Sequence, residues 1–483
     1  MSSFGLDMVG WKDYQGVEGF HGAATQQDLN ELNKALSAGQ EINPPGSVVS
    51  GDGFALRVES LERTLKNVSF KMSHIRLWRA IGKIPAFNTV EEHNEIQEYG
   101  ANPDAGFIDE GDLPEEDDSK YERKFSIIRY LGTVRRVTHV MSLVKPAAGN
   151  VISQETVNGT MHLLRVLERA LFYGDNSLSN LQFDGYEKLM IQNAAATNVI
   201  DLRGAPLSED VLMDACMTAQ DAPNYGQITH AFLNPKVKSD LSKQFFPKER
   251  HNTLTDHKGV VGLDITGFTS PAGDVSFEPD VFINDGGGPT AGIGDAAKRP
   301  GTPTITSAPA VANDAASQFG ADDAGDYFYQ AQAVNRYGRS ASIIVPSPSA
   351  AITLAAGEKM TVGLTPGGAV AVEWYEVFRT KVGGAVGTER QILRVPNAAG
   401  AGQQLLVDLN DRIPGTTSGF LFQMNLESMS FKQLAPMVKI PLATIDSSIR
   451  WMQLLYGTPV LYIPGKNILF RNIGRAAGYV GAG

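Results

Sequence analysis

The residues best placed to do chemistry in this 483-residue chain are a run of carboxylates, Asp104, Asp109, Glu110, Asp112, Glu115, Glu116, Asp117 and Asp118. A set of bases follows at once: Lys120, Arg123, Lys124, Arg129, Arg135 and Arg136. Clustered carboxylates can hold a hard cation such as calcium, but these lack the spacing of an EF-hand loop. A solvated or partner-facing acidic loop fits the pattern better. Neighbouring copies could pair the acidic tip of one with the basic stem of the next. Each exposed ion pair contributes only about 0–1 kcal/mol, so the charges would set register more than strength. The expected subunit contacts are therefore Asp109, Glu110, Asp112, Glu115, Glu116, Asp117, Asp118, Lys120, Arg123, Lys124, Arg129, Arg135 and Arg136.

No other constellation points to a reaction. HExxH and GxSxG are absent, and Gly82-Lys83 and Gly465-Lys466 lack the upstream glycine that wraps backbone N–H groups around a phosphate. The segment GIGDAAK from Gly292 opens a β-rich stretch with no strand-to-helix signal around it, so it reads as a linker and not a dinucleotide loop. The eight histidines are scattered, His139 and His162 among them, without the spaced partners a metal needs. No catalytic, cofactor-binding or metal-ligating residue is expected, and no cofactor. The one cysteine, Cys216, excludes an intrachain disulfide and suits a small buried position in a helix.

The acidic run sits between two extended arms, EIQEYG ascending and KFSIIRY with TVRRVTHVMSLV descending, so a projecting hairpin is expected over 90–144. Before it, Thr25 can cap a helix carrying Leu29, Leu32 and Leu36, and Leu56, Leu61 and Leu65 mark another. After it, Ser153 offers a cap for a long helix with Val157, Met161, Leu164, Leu167 and Leu171 on one face, ended by Gly174. The segment DNSLSNLQFDGYEKLM reads as a turn-rich connection. Ser208 caps a helix with Val211, Ala215, Cys216 and Ala219 inward, and Asn234-Pro235 starts one that buries Val237, Leu241 and Phe245. Strands such as HAFLN and VSFEPDVFIND alternate with these helices, which makes the host α+β or α/β.

A glycine-dense stretch, INDGGGPTAGIGDAAKRPG, then gives way to strands with no helical period: YFYQAQAVNRYGRSASIIV, EKMTVGLTP, VEWYEVFRT and RQILRVP. The region 299–415 reads as an all-β sandwich inserted in a surface loop of the host. After it FKQLAPMVKIPLATIDSSIRWMQLLYGTPVLYIPGKNILFRNIG resumes the host as strands, with one short helix expected near Asp446 to Leu455.

The formal charge of −11 argues against a surface that coats nucleic acid, while leaving loose enclosure of DNA open. No apolar run reaches membrane-spanning length and the N-terminus has no export signal, so a soluble product with no membrane partner is expected.

The order of parts resembles the major capsid proteins of tailed bacteriophages, the Hong Kong ninety-seven fold. FIDEGDLPEEDDSKYERKFSIIRYLGTVRRVTHV is similar to the E-loop of that family, VISQETVNGTMHLLRVLERALFYGD to its spine helix, and SFKQLAPMVKIPLATIDSSIRWMQLLYGTPVLYIPGKNILF to its returning P-domain. The resemblance implies an N-terminal arm at 1–50, the start of the P-domain at 51–89, the E-loop at 90–144, and the spine helix with P-domain at 145–200. The A-domain follows at 201–285, a linker at 286–298, the insert at 299–415, and a return to A- and P-domains at 416–483. The insert resembles an immunoglobulin or fibronectin type III module through Tyr327, Tyr329, Asn335, Gly338 and Ser340. The implied function is self-assembly, in hexamers and pentamers, into an icosahedral shell around double-stranded DNA, with the insert on the outside. Implied partners are scaffolding and portal proteins, DNA held without sequence-specific contact, and a glycan or decoration protein at the insert. The implied place is the virion capsid, assembled in the host cytoplasm. An adhesin whose Trp374, Tyr375 and Tyr337 form a sugar platform is the alternative, and a hydrolase with an accessory module lacks its catalytic residues.

Overall fold

The computed structural model describes residues 69–100, 107–113, 116, 118–144, 150–245, 265–283, 286–346, 350–443 and 446–475. All of them belong to one unit spanning 68–144 and 150–483. The arm at 1–50 and the helices expected around Leu29 and Leu61 lie outside the described residues, as do Asp104, Glu115 and Asp117.

After a 3-10 turn at Met72–His74 come a one-turn helix α1 (Leu77–Ala80) and strand β1 (Lys83–Pro85). Strands β2 (Val90–Glu98) and β3 (Lys120–Ile127) then pair antiparallel, Val90 opposite Ile127 and Glu98 opposite Lys120. The hairpin ends there. Residues 129–144, expected to continue its descending arm, form β4 (Arg129–Thr138) and the short helix α2 (His139–Leu143). Alternate residues of β4 turn inward, because it is the outer strand of a sheet in the body.

The cap of helix α3 (Val151–Tyr173) is Asn150, three residues before the expected cap at Ser153. The Asn150 side chain accepts the N–H groups of Ile152 at 2.9 Å and Ser153 at 3.5 Å. Leu164, Leu167 and Leu171 form the buried face as the 3.6-residue repeat requires, whereas Val157 is exposed. The connection after α3 contains a further helix, α4 (Tyr186–Asn193), which burial of Tyr186 and Met190 holds in place. Next come β5 (Val199–Asp201) and α5 (Glu209–Gln220), whose cap Ser208 accepts the Val211 N–H, then β6 (His230–Leu233) and α6 (Pro235–Phe245). Strands β7 (Gly267–Ser270) and β8 (Gly273–Pro279) complete the first half of the host.

The region read above as an insert supplies eleven strands: β9 (Ala291–Gly294), β10 (Thr304–Asn313), β11 (Gly325–Tyr327), β12 (Tyr329–Asn335), β13 (Gly338–Ala341), β14 (Ile343–Val345), β15 (Ile352–Leu354), β16 (Glu358–Thr365), β17 (Trp374–Arg379), β18 (Arg390–Pro396) and β19 (Gln404–Asp408). One sheet runs β10-β16-β19, a larger one β18-β17-β12-β13-β9 with β14 also on β12, and β11 pairs β15. Tyr329, Ala331, Tyr375 and Val377 of the larger sheet share one core with Met360, Val362, Leu364 and Leu406 of the smaller. Two sheets closing on a common core make this a sandwich. The glycine-dense segment is part of it: β9 is an edge strand, and Gly294, at φ +99°, lies so close to the Tyr337 carbonyl that a Cβ would sit 2.2 Å from it.

The host resumes with β20 (Thr417–Phe422), β21 (Met429–Pro441), β22 (Ser448–Leu461) and β23 (Ile468–Ile473). The short helix expected near Asp446 to Leu455 is the first half of β22, where Trp451 and Leu455 turn inward between β21 and β4. One host sheet is β1-β21-β22-β4, and the other is β5-β23-β20-β6-β8-β7. The second is covered on both faces. Phe420, Phe422 and Phe232 point to the core shared with α3 and α4, while Leu421, Leu233 and Ile468 point to the core of α5 and α6. That two-sided burial is why TSGFLF is apolar without alternation.

Candidate subunit interface

The hairpin is rooted by polar contacts at its base. Glu91 accepts the N–H groups of Phe87 (2.8 Å) and Asn88 (3.0 Å) and pairs with Lys432 at 3.1 Å. Burial raises the Glu91 carboxyl, but those donors outweigh it and hold the group below its usual value. The His93 ring meets Tyr462 edge-on at 4.9 Å. Beyond the root the hairpin leaves the body, and its tip is bare: Tyr99 is 87% exposed, Phe107 100% and Leu113 85%. Large apolar side chains on a projecting ribbon call for a covering surface. Reading the segment for charge alone misses them; the signal was the aromatic and aliphatic residues interleaved with the carboxylates of FIDEGDL.

The expected contact residues divide into two groups. Asp109, Glu110, Asp112, Glu116 and Asp118 are exposed at the tip, and Asp112 accepts the Leu113 N–H. The bases are mostly matched within their own chain. Arg123 pairs with Glu92 (3.4 Å), Lys124 with Glu95 (2.7 Å), Arg135 with Glu155 (3.5 Å) and Arg136 with Asp446 (3.7 Å). Arg129 donates to Asn176 (3.0 Å), and Lys120 lies exposed on β3. Tip and stem are thus unequal: free carboxylates at one end, largely neutralised bases at the other.

The insert is fastened to the host at two places. At its base Arg203, in the left-handed region at φ 50°, reaches across to the Gln318 side chain (3.0 Å), the Gln318 carbonyl (2.6 Å), the Asn410 carbonyl (2.8 Å) and Asp323 (3.1 Å). Arg203→Ala is expected to lower the unfolding free energy by about 1–2 kcal/mol, read from a urea titration, with the far-UV circular dichroism spectrum unchanged. Along its larger sheet, Arg394 donates to the Tyr173 carbonyl at the end of α3 (3.0 Å). Arg412, in the loop after β19, pairs with Glu187 of α4 (3.0 Å) and lies over the ring of the same Tyr173 at 5.6 Å. Tyr375 is fully buried in the insert core, so the three-aromatic sugar platform does not form.

Among the described residues no group of three or more His, Cys, Asp or Glu side chains is placed to hold a metal ion, and no helix is long and apolar enough to cross a membrane.

No protein-family model matches the sequence. The chain is 24% identical over 468 residues to the major capsid protein of Staphylococcus phage K, covering 92% of this chain and 96% of that protein. Over nearly its whole length the chain is similar to phage major capsid proteins. The major capsid protein of Staphylococcus phage S25-3 matches to the same extent, 24% over 468 residues with 92% and 96% covered. Among solved structures it aligns with the capsid of Myoviridae phage XM1 at a TM-score of 0.42 and 8% identity, over 88% of this chain and 99% of that one. A Mycobacterium phage Bobi structure aligns at a TM-score of 0.44 and 8% identity, over 88% and 99%.

Proposed function

We propose that this chain is the shell subunit of a tailed phage, with a Hong Kong ninety-seven-type body that assembles into an icosahedral capsid around double-stranded DNA. The observation that carries the reading is the projecting hairpin. Its tip exposes Phe107 and Leu113 beside unpaired carboxylates, while its root is fixed to the body by Glu91 and His93. Such a ribbon is costly on an isolated molecule and useful on one surrounded by its copies. The end-to-end likeness to phage major capsid proteins supports the same reading.

In this reading the sandwich is an immunoglobulin-like module carried on the outer surface, scaffolding and portal proteins take part in assembly, and the acidic balance of the chain keeps packaged DNA from adsorbing to the lining. Each copy makes many weak contacts, and closed symmetry multiplies them into a stable particle. Expressed with its scaffolding partner, the chain is expected to form closed shells visible by negative-stain microscopy and light scattering. A strictly monomeric protein under those conditions would sink the reading.

A further inference from the structure

Four arginines line a cleft of about 390 Å³ between α3 and the larger sheet of the insert. Arg165 and Arg169 lie one turn apart on α3; Arg339 and Arg394 come from β13 and β18. One carboxylate, Glu376, faces them, and it is already engaged by Arg339 (3.2 Å), Gln332 (2.7 Å) and Trp374 (3.5 Å). Asp175 and Glu187, which also act on Arg394, are taken by Lys188 (2.6 Å) and Arg412 (3.0 Å). Among the described residues Arg165 and Arg169 make no ion pair or hydrogen bond. The cleft therefore carries positive charge that its own chain does not balance.

We propose that this cleft receives the acidic hairpin tip of a second copy of the chain. The proposal rests on the reading of the chain as a self-assembling subunit and names the receptor on the neighbour. Asp109, Glu110 and Asp112 present exposed carboxylates that match planar guanidinium donors. Phe107 and Leu113 beside them need an apolar cover, which Leu181 and Trp374 supply in the cleft wall. A phosphate group would satisfy the arginines and leave that apolar wall wet; the tip satisfies both. The basic stem, by contrast, has spent most of its charge on Glu92, Glu95, Glu155 and Asp446 of its own chain. The insert then has a structural task, since it builds half of the socket that a sibling enters.

The test combines charge exchange with cross-linking in the full chain. R165E with R169E lies on the exposed side of α3, so the subunit should keep its circular dichroism spectrum while shell yield falls at least tenfold. Asp112→Cys combined with Arg165→Cys should give disulfide-linked multimers on a non-reducing gel of oxidised particles; the native Cys216 is buried and does not interfere. Normal assembly of the R165E/R169E chain would overturn the proposal, and so would particles in which the cysteine pair stays unlinked or links within one chain. Normal assembly of that chain with loss of affinity for a DNA duplex would assign the cleft to phosphate instead. Failure of the unaltered chain to assemble is a different result, and removes the shell reading itself.

Discussion

Glu168→Ala is expected to cost about 3–5 kcal/mol of stability, the order associated with stranding several buried polar groups at once. Glu168 lies in the inward face of α3 with no exposed surface. Its carboxyl oxygens accept three consecutive backbone N–H groups, from Arg76 (2.8 Å), Leu77 (2.6 Å) and Trp78 (2.9 Å). These are the donors that open α1, which has no side-chain cap of its own. One carboxyl group on the long helix thus substitutes for the missing cap of a short one 90 residues earlier. Alanine removes the acceptor from all three donors without letting water in. Urea unfolding of the unassembled subunit, followed through tryptophan fluorescence with Trp78 beside the site, would show the loss as a lowered midpoint; a change under about 1 kcal/mol would contradict the role.

The same group makes stability depend on pH, with a definite sign. Burial and the neighbouring charge of Asp280 push Glu168 up to about 8, and burial raises Asp280 as well. Arg76, which pairs with Glu278 at 3.2 Å and acts on Asp280, and Lys83, which acts on Glu168, are the cations facing the pair. Between the ordinary carboxyl value of 4.5 and about 8 the folded state keeps a proton that the unfolded chain has released. Stability from this group therefore falls as pH rises through that window and levels off above it. Glu168→Gln keeps an acceptor for the N–H groups and an uncharged neighbour for Asp280, so it should flatten the dependence in urea titrations at pH 5, 6, 7 and 8.

What could be read from the sequence followed the range of the forces involved. Ser208 and Asn234-Pro235 act within one helical turn, and their helices stand where the local pattern puts them, with Ala215, Cys216, Ala219, Val237 and Leu241 buried. Asn150 and Ser153 are both good caps, and local chemistry does not choose between them; burial along α3 does. The stretch SSIRWMQLL contains good helix formers, yet it is a strand because β4 and β21 flank it with ready backbone partners. The arginine cleft was out of reach for the same reason. Its cations come from positions 165, 169, 339 and 394, which no spacing rule connects, and only docking of the insert on α3 brings them together. Charge at the hairpin tip was visible from the start, but the internal partners of the stem, such as Glu155 for Arg135 and Asp446 for Arg136, depend on the fold.

Arg379→Ala is expected to destabilise the insert by about 3–5 kcal/mol while leaving the host core folded. Arg379 ends β17 and is 1% exposed. Its two terminal nitrogens and both ring faces are engaged: an ion pair with Asp408 at 2.5 Å, a hydrogen bond to Asn410, and the rings of Phe319 and Tyr327 at 4.8 and 5.0 Å. Tyr329 donates its hydroxyl to the same Asp408 at 2.9 Å. Burial alone would lower the arginine, but Asp408 outweighs it and holds the group above its usual value, so the charge stays on at every accessible pH. Removing the cation leaves Asp408 buried with only the Tyr329 hydroxyl and the Asn410 N–H to stabilise it. The cost is then mainly that of an unpaired charge, which makes a second variant decisive. Arg379→Met with Asp408→Asn removes both charges at similar volume and should recover most of the loss, whereas Arg379→Met alone should not. Limited proteolysis would localise the effect, with cleavage confined to 291–415 in Arg379→Ala and suppressed again in the double variant. Equal instability of the single and double variants would mean that the guanidinium acts by filling space between Phe319 and Tyr327, and not by balancing Asp408.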